Sequence, residues 1–221
     1  MIKDISVVLL GAGKSKRFDT NTLKQNVKIH DKRVIDYSVD FFRKHFNVSK
    51  KYFVINKKIQ LKTLTENEHI LYGSTSRLKS LNNCLNYISR NNLQTKYILV
   101  HDVARPVLNL ADIKKIIREI HKKVDGSTLG YPLTNAVKEV KNNTIYSNIH
   151  KSNLWSTFTP QIFKMEKLYQ SVKACLDEKY DVDDDIEALL LNSLKCTMIM
   201  SSPTNIKITY KSDINYIKKL L

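Results

Sequence analysis

Short apolar runs alternate with amphipathic segments along most of this chain. Runs such as Ile5–Leu10 and Tyr97–His101 are apolar on both faces, which is typical of buried parallel strands. This pattern predicts strands over Ile5–Leu10, Tyr52–Ile55, Tyr97–His101, Ser127–Tyr131, Thr197–Met200 and Ile206–Thr209, and helices over Val34–Phe46, Ser76–Ile88, Leu110–Val124, Met165–Leu176, Asp184–Leu191 and Ser212–Leu220. Strands that alternate with helices indicate an α/β protein with a doubly wound, mostly parallel, Rossmann-like sheet.

One segment departs from this alternation. Residues Val137–Asn148 form two short alternating runs around Asn142-Asn143, which is a β-hairpin signal. The hairpin is expected to project from the sheet as an arm. Because the chain has no internal repeat, low-complexity tract or Pro/Gly/Ser-rich linker, residues 1–221 are interpreted as a single domain that contains this arm.

Composition narrows the function classes. The net charge is +16 at pH 7, but the basic residues are mostly lysines spread over the whole chain, without an Arg-rich or aromatic-interleaved run. The charge therefore suits a small anionic substrate as well as a nucleic acid, and nucleic-acid binding is disfavoured as the main role. No apolar run approaches the roughly 18 to 20 residues of a membrane span. The 3 cysteines are scattered and form no disulfide framework, which favours a cytoplasmic location.

The stretch GAGKSKRF, which begins at Gly11, contains letters of two known nucleotide motifs. A Walker A loop, which would indicate an ATPase or kinase, needs a Gly at position 8, and the chain has Val8 there. The dinucleotide fingerprint GxGxxG needs its third Gly where the chain has Lys16. Neither motif is present.

The same loop still has the properties of a phosphate site. It leaves the carboxyl end of the first strand, where α/β sheets bind ligands. Gly11 and Gly13 are expected to let the backbone turn sharply and present N–H groups to an anion. Positive charge comes from Lys14, Lys16, Arg17 and Lys24. The alternative is a plain tight turn with solvated lysines.

Five segments in a fixed order carry a resemblance over nearly the whole chain. They are GAGKSKRF followed by LKQ (Leu23–Gln25), GSTSRLKS (Gly73–Ser80), HDVARP (His101–Pro106), LWSTFTPQ (Leu154–Gln161) and NIKIT (Asn205–Thr209). Together they resemble the nucleotidyltransferase family that includes 2-C-methyl-D-erythritol 4-phosphate cytidylyltransferase. The family pattern has Pro at the position of Leu23 and a second Gly at the position of Ser74.

The resemblance implies a cytidylyltransferase. In this reaction a phosphate oxygen of a polyol phosphate attacks the α-phosphate of CTP, and pyrophosphate leaves. Arg17 and Lys24 would stabilise charge on the α-phosphate and the leaving group, and Lys207 would hold phosphate oxygens from the other side. Such enzymes act mostly by positioning and charge neutralisation. The implied nucleotide-binding residues are Gly11, Ala12, Gly13, Gly73, Ser74, Thr75 and Ser80, with Gly73 admitting the base close to the backbone.

The resemblance also places a Mg²⁺ beside Asp102. Magnesium prefers one or two carboxylates together with phosphate oxygens, so a single Asp is a reasonable protein contribution. The alternative is that Asp102 and Arg105 form a structural ion pair, and His101 is expected to pack beneath the site. The implied substrate-binding residues are Asp102, Arg105, Asn135, Lys151 and Thr159.

The departures from the family pattern concern the acceptor. Asn135 replaces an Asp, Ala136 replaces a Thr, Lys151 replaces an Arg and Val182 replaces a Thr. The resemblance implies 2-C-methyl-D-erythritol 4-phosphate as the acceptor, and these departures leave another polyol phosphate, such as ribitol 5-phosphate, as the alternative.

Two acidic residues and the hairpin arm complete these expectations. Asp183 and Asp184 remain from the family's acidic motif, but a solvated acidic helix start explains them equally well. In the family the arm crosses to a second subunit, and the residue matching Lys151 reaches the partner's site. The resemblance therefore implies a homodimer formed through residues 137–160.

Overall fold

A computed structural model describes residues 4–15, 17–19, 21–47, 49–62 and 64–221. Its strands are β1 (Ile5–Gly11), β2 (Lys28–Ile29), β3 (Lys32–Arg33), β4 (Lys51–Ile55), β5 (Glu68–Tyr72), β6 (Tyr97–Asp102), β7 (Gly126–Pro132), β8 (Val137–Lys141), β9 (Thr144–Ile149), β10 (Trp155–Lys164) and β11 (Cys196–Met200). Its helices are α1 (Val34–His45), α2 (Arg77–Arg90), α3 (Leu110–Ile120), α4 (Met165–Asp177), α5 (Asp185–Leu191) and α6 (Ser212–Ile217). In the part of the chain described, no helix is long and apolar enough to cross a bilayer.

The central sheet has seven strands in the order β11-β7-β10-β6-β1-β4-β5. Neighbouring strands are parallel except for β10, which runs antiparallel to both β6 and β7. The expected mostly parallel α/β fold is confirmed.

Strand β1 shows why its sequence is apolar throughout. Val7 and Leu9 pack with α1 and α3 on one face, and Val8 and Leu10 pack with α2 and α4 on the other. Because both faces of the sheet are covered by helices, a central parallel strand has no polar side. The carboxyl ends of β1, β5 and β6 thus open at the same edge of the sheet.

Two strands of the sheet were absent from the sequence-based expectation. Strand β5 is short and follows a polar stretch. Strand β10 contains Pro160, which argues against a strand interior. The structure accommodates Pro160 because the pairing of β10 with β7 shifts register between Phe158 and Gln161, so Pro160 pairs with no residue of β7.

The expected strand Ile206–Thr209 is wrong. Within the described residues, its one backbone hydrogen bond to the region of the sheet runs from the Ile208 N–H to the Ala104 carbonyl at 2.9 Å, and the segment forms no strand. Its end is held by Asp213 Oδ2, which accepts the N–H groups of Thr209 and Tyr210, each at 2.8 Å. Side chains therefore replace the ladder that a strand would need.

A small hydrophobic cluster joins the two ends of the chain. It contains Phe18, Ile29, Val34, Ile208 and Ile217, all of which are buried. Burial of these side chains fixes the loop after β1 against the segment that carries Lys207, although the two segments are far apart in sequence.

The hairpin expected over Val137–Asn148 is confirmed as β8 and β9, which pair antiparallel with each other. Asn142 and Asn143 have φ of 49° and 62°, as the favoured two-residue hairpin turn requires. The arm exposes apolar side chains, including Ile145 and Tyr146 at 65% and 66% of their surface.

Candidate active site

A cleft of 280 Å³ lies at the carboxyl edge of the sheet. It is bordered by the loop after β1, the loop before α2, the end of β6 and the segment around Lys207. The basic side chains that line it are Lys14, Arg17, Lys24, Arg77 and Lys207. Among the described lining residues the one acid is Asp102, so the cleft favours a polyanion.

The turn in the loop after β1 is made by Ser15 rather than by a glycine. Ser15 has a φ of 57°, whereas none of the glycines has a positive φ. The Ser15 carbonyl accepts the N–H groups of Phe18 and Asp19 at 2.8 and 3.0 Å. Gly11 and Gly13 therefore do not supply a left-handed backbone conformation in this loop. Lys16, a predicted cation of this loop, lies outside the described residues.

Lys24 reaches the cleft from the 3-10 turn Lys24–Asn26. Its Nζ donates to the Ile208 carbonyl at 2.5 Å. Burial, and after it the nearby charge of Lys207, lower the pKa of Lys24 to about 8. A polyanion entering the cleft would favour the charged ammonium.

Asp102, at the end of β6, lies between two cations. Its Oδ1 accepts from Arg77 Nε at 3.0 Å, and its Oδ2 accepts from Lys207 Nζ at 2.6 Å. Burial would raise the pKa of Asp102, but the charges of Arg77 and Lys207 outweigh it and hold this pKa well below its usual range. Asp102 is thus an ionised carboxylate at neutral pH.

Arg77 links Asp102 to a second buried acid. Its Nη1 and Nη2 donate to Asp185 Oδ1 and Oδ2 at 2.6 and 2.9 Å, and Asp185 is fully buried. The sequence analysis assigned no role to either residue. The available signal was the position of Arg77 inside GSTSRLKS, directly after the residue that caps α2.

Arg105 and Thr159 lie behind Asp102 and outside the cleft lining. Thr159 Oγ1 accepts from the Asp102 N–H at 3.0 Å, and the Thr159 carbonyl accepts from Asn205 Nδ2 at 2.9 Å. Arg105 Nη1 donates to the Asn205 carbonyl at 2.8 Å. These bonds hold the end of β6 against the segment that carries Lys207.

His101 also lies beneath the cleft, as expected. It is fully buried, and burial lowers the pKa of its imidazole to about 3, so it is neutral. Its ring nitrogens lie 3.3 Å from Thr159 Oγ1 and 3.1 Å from the Arg105 carbonyl. These contacts support the backbone that follows β6.

The loop before α2 presents hydroxyls and backbone groups to the cleft. Ser80 Oγ accepts from the Ser74 N–H at 2.9 Å and donates to the Ser76 carbonyl at 2.7 Å, while Thr75 lines the cleft. A Cβ on Gly73 would lie 2.0 Å from the Cβ of Ala12. Gly73 is therefore required for contact between the two loops, which the sequence did not reveal.

Like Arg105 and Thr159, the predicted substrate-binding residues Asn135 and Lys151 lie outside the cleft lining. Asn135 is exposed at the base of the hairpin. Lys151 is exposed as well, and its Nζ donates to the Thr134 carbonyl. Within this chain alone, the structure does not bring Asn135 or Lys151 to the cleft.

Asp183 and Asp184, which precede α5, have different surroundings. Asp184 caps the helix, since its Oδ1 accepts from the Glu187 N–H at 2.9 Å. Its Oδ2 accepts from Gln161 Nε2 at 2.8 Å. Asp183 is exposed. The acid that connects to the cleft is therefore the next residue, Asp185.

The fold and the cleft together define a class of protein. A loop after the first strand of a mostly parallel sheet faces clustered cations and one ionised carboxylate. Hydroxyls and amides on the adjacent loop are suited to a sugar and a base. This arrangement is that of a nucleotide-binding α/β protein of the nucleotidyltransferase type.

Comparison with known proteins then identifies the family. The model of the 2-C-methyl-D-erythritol 4-phosphate cytidylyltransferase family matches residues 5–221. The chain belongs to this family, as the five sequence segments indicated.

Individual relatives cover nearly the full chain. An enzyme of that name from Wigglesworthia glossinidia brevipalpis is 30% identical over 218 residues, which is 96% of this chain and 93% of the relative. One from Clostridioides difficile is 27% identical over 226 residues, covering 98% of this chain and 93% of the relative. The crystal structure of the Francisella tularensis enzyme has a TM-score of 0.87 at 23% identity, covering 99% of this chain and 100% of that one, which supports the fold.

Proposed function

We propose that this chain is a cytidylyltransferase that joins CMP from CTP to 2-C-methyl-D-erythritol 4-phosphate and releases pyrophosphate. The observation that carries the proposal is the family match over residues 5–221. The described lining of the cleft, with five cationic side chains and one carboxylate, agrees with it. The alternative acceptor, ribitol 5-phosphate, draws no support from the relatives reported above.

The arrangement of cations supports phosphoryl transfer by charge neutralisation. Lys24 and Lys207 approach the cleft from opposite ends of the chain, and Arg17 lies at its exposed border. We assign Arg17 and Lys24 to the α-phosphate and the leaving pyrophosphate, and Lys207 to oxygens near the attacking phosphate. Cations fixed before the reaction stabilise the charge that develops in the transition state.

We propose that Mg²⁺ binds with the nucleotide and that Asp102 would be its ligand from the protein. The described residues contain no group of three or more His, Cys, Asp or Glu side chains suited to hold a metal alone. One ionised carboxylate fits a magnesium ion that takes most of its ligands from phosphates and water. When bound, the ion would neutralise phosphate charge.

The direct test is pyrophosphate release by the purified protein with Mg²⁺ and CTP. Each acceptor, 2-C-methyl-D-erythritol 4-phosphate or ribitol 5-phosphate, is supplied in a separate reaction. Release with the first acceptor supports the proposal. Release with ribitol 5-phosphate alone would move the chain to a different acceptor, and release with neither would reject the cytidylyltransferase assignment for both.

We also propose that residues 137–160 are a dimerisation arm and that the protein is a homodimer. The exposed apolar side chains on the arm are the support, since contiguous exposed apolar surface marks interaction sites. Asn135 and Lys151, near the base of the arm, would then contact the acceptor at a site shared with the second subunit. Light scattering at working concentration should give twice the chain mass, and a monomer would reject the arrangement.

A cytoplasmic location is part of the proposal. Cys84, Cys175 and Cys196 are all free thiols, and two of them are buried. Free thiols are typical of a reducing compartment. Fractionation of cells that produce the protein should recover it with the cytoplasm.

The affinity for CTP should fall as pH rises through the pKa of Lys24. Burial and the charge of Lys207 together lower that pKa to about 8 in the free protein, and a bound polyanion favours the charged form. Above pH 8, binding must therefore be accompanied by uptake of a proton, and Kd should be about tenfold higher at pH 9 than at pH 7. Isothermal titration would measure this change.

The matched variant for this experiment is Lys24→Arg. Its guanidinium stays charged over the whole range, so its affinity for CTP should be nearly independent of pH between 7 and 9. If Kd for CTP rose equally with pH in the wild type and in Lys24→Arg, a group other than Lys24 would be responsible for the pH dependence.

A further inference from the structure

We propose that Gln25 is a positioning residue that fixes the orientation of the loop after β1 and thereby sets the affinity of the cleft for CTP. The inference rests on the proposed function. Gln25 is 2% exposed, although its carboxamide is polar, so all its hydrogen bonds must be made inside the protein.

The contacts of Gln25 use its whole carboxamide. Nε2 donates to the Gly11 carbonyl at 3.0 Å and to the Gly13 carbonyl at 3.1 Å. Oε1 accepts from Ser15 Oγ at 3.2 Å. A carboxamide has two N–H donors and one carbonyl oxygen, so each group is engaged and the opposite orientation would place an oxygen against two carbonyls.

These contacts determine which way the loop amides point. In a trans peptide the C=O and the following N–H point in opposite directions. Because the Gly11 and Gly13 carbonyls face Gln25, the N–H groups of Ala12 and Lys14 face away from it. Ala12 and Lys14 line the cleft, and neither N–H donates to another backbone carbonyl in the described part of the chain. Gln25 thus leaves both N–H groups free for an anion.

Ser15 extends the same arrangement to Lys24. The Ser15 hydroxyl, which donates to Gln25, also accepts the Lys24 backbone N–H at 3.1 Å. The side chain of Lys24 is held separately by the Ile208 carbonyl. Loss of Gln25 should therefore disturb binding by the loop more than the placement of the Lys24 ammonium.

The test compares Gln25→Met with Gln94→Met, which removes an exposed glutamine elsewhere on the chain. Isothermal titration with CTP and Mg²⁺, without acceptor, should show that Gln25→Met raises Kd about tenfold, as expected from loss of two backbone hydrogen bonds. In turnover assays KM for CTP should rise similarly, while KM for the acceptor is unchanged and kcat falls less than about threefold. Gln94→Met should match the wild type.

If Gln25→Met does not fold, a milder variant tests the same inference. Ser15→Ala keeps the Gln25 donors and removes the hydroxyl between Gln25 and Lys24, so it should raise Kd for CTP about threefold. Unchanged CTP affinity in either folded variant, or a loss of kcat at unchanged KM, would overturn the inference. Failure of the wild type to bind CTP would instead reject the proposed function.

Discussion

Lys24→Met should fold normally and lose about 100- to 1,000-fold in kcat for pyrophosphate release. Lys24 is half-buried and its Nζ lies against the Ile208 carbonyl, so the ammonium is fixed before substrate arrives. A fixed cation in a partly dehydrated cleft stabilises the negative charge that develops on the phosphate more strongly than a mobile cation in water does. Methionine keeps the apolar stem and removes only the charge.

The comparison for this result is Lys28→Met. Lys28 lies four residues further along the chain, and its side chain is exposed on β2. It has the same chemistry without a place in the cleft, so its kcat and thermal stability should match the wild type. If Lys24→Met retained turnover within about threefold of Lys28→Met, Lys24 would not stabilise the transition state.

The position of the cleft could be predicted from the sequence because it follows from the fold. Apolar periodicity identified β1 and β6, and ligand sites of parallel sheets lie at their carboxyl ends. Gly11 and Asp102 are the last residues of these two strands. The segment GSTSRLKS identified the loop before α2 as part of the same site. The residues expected to bind the nucleotide lie around one cleft because the ends of these strands and this loop meet at the same edge of the sheet.

The supporting contacts could not be predicted, because they depend on tertiary structure. Arg77 and Asp185 are 108 positions apart, and no local pattern links them. The apolar alternation of Ile206–Thr209 predicted a strand, yet Asn205 and Arg105 fix that segment with side-chain bonds. Side-chain bonds of this kind leave no periodic signal in sequence.

Arg77→Met should lower the free energy of unfolding by about 3–5 kcal/mol. Asp185 is fully buried, and Arg77 supplies its bidentate partner at 2.6 and 2.9 Å. Removing the guanidinium leaves a buried carboxylate without its ion pair, which is costlier than losing the pair as a whole. Asp102 keeps Lys207, so the unpaired charge of Asp185 dominates the loss.

Urea unfolding measures this effect, with Arg90→Met as the comparison. Arg90 lies at the far end of α2 and is exposed, so its variant should stay within about 0.5 kcal/mol of the wild type. The double variant Arg77→Met/Asp185→Asn should regain more than half of the loss, because the amide carries no charge to bury. Stability of Arg77→Met should also recover as pH falls, since protonation of Asp185 removes the same charge. A double variant no more stable than Arg77→Met would show that Arg77 stabilises the fold by packing, and the bridge between Asp102 and Asp185 would then serve to hold Asp102 in place.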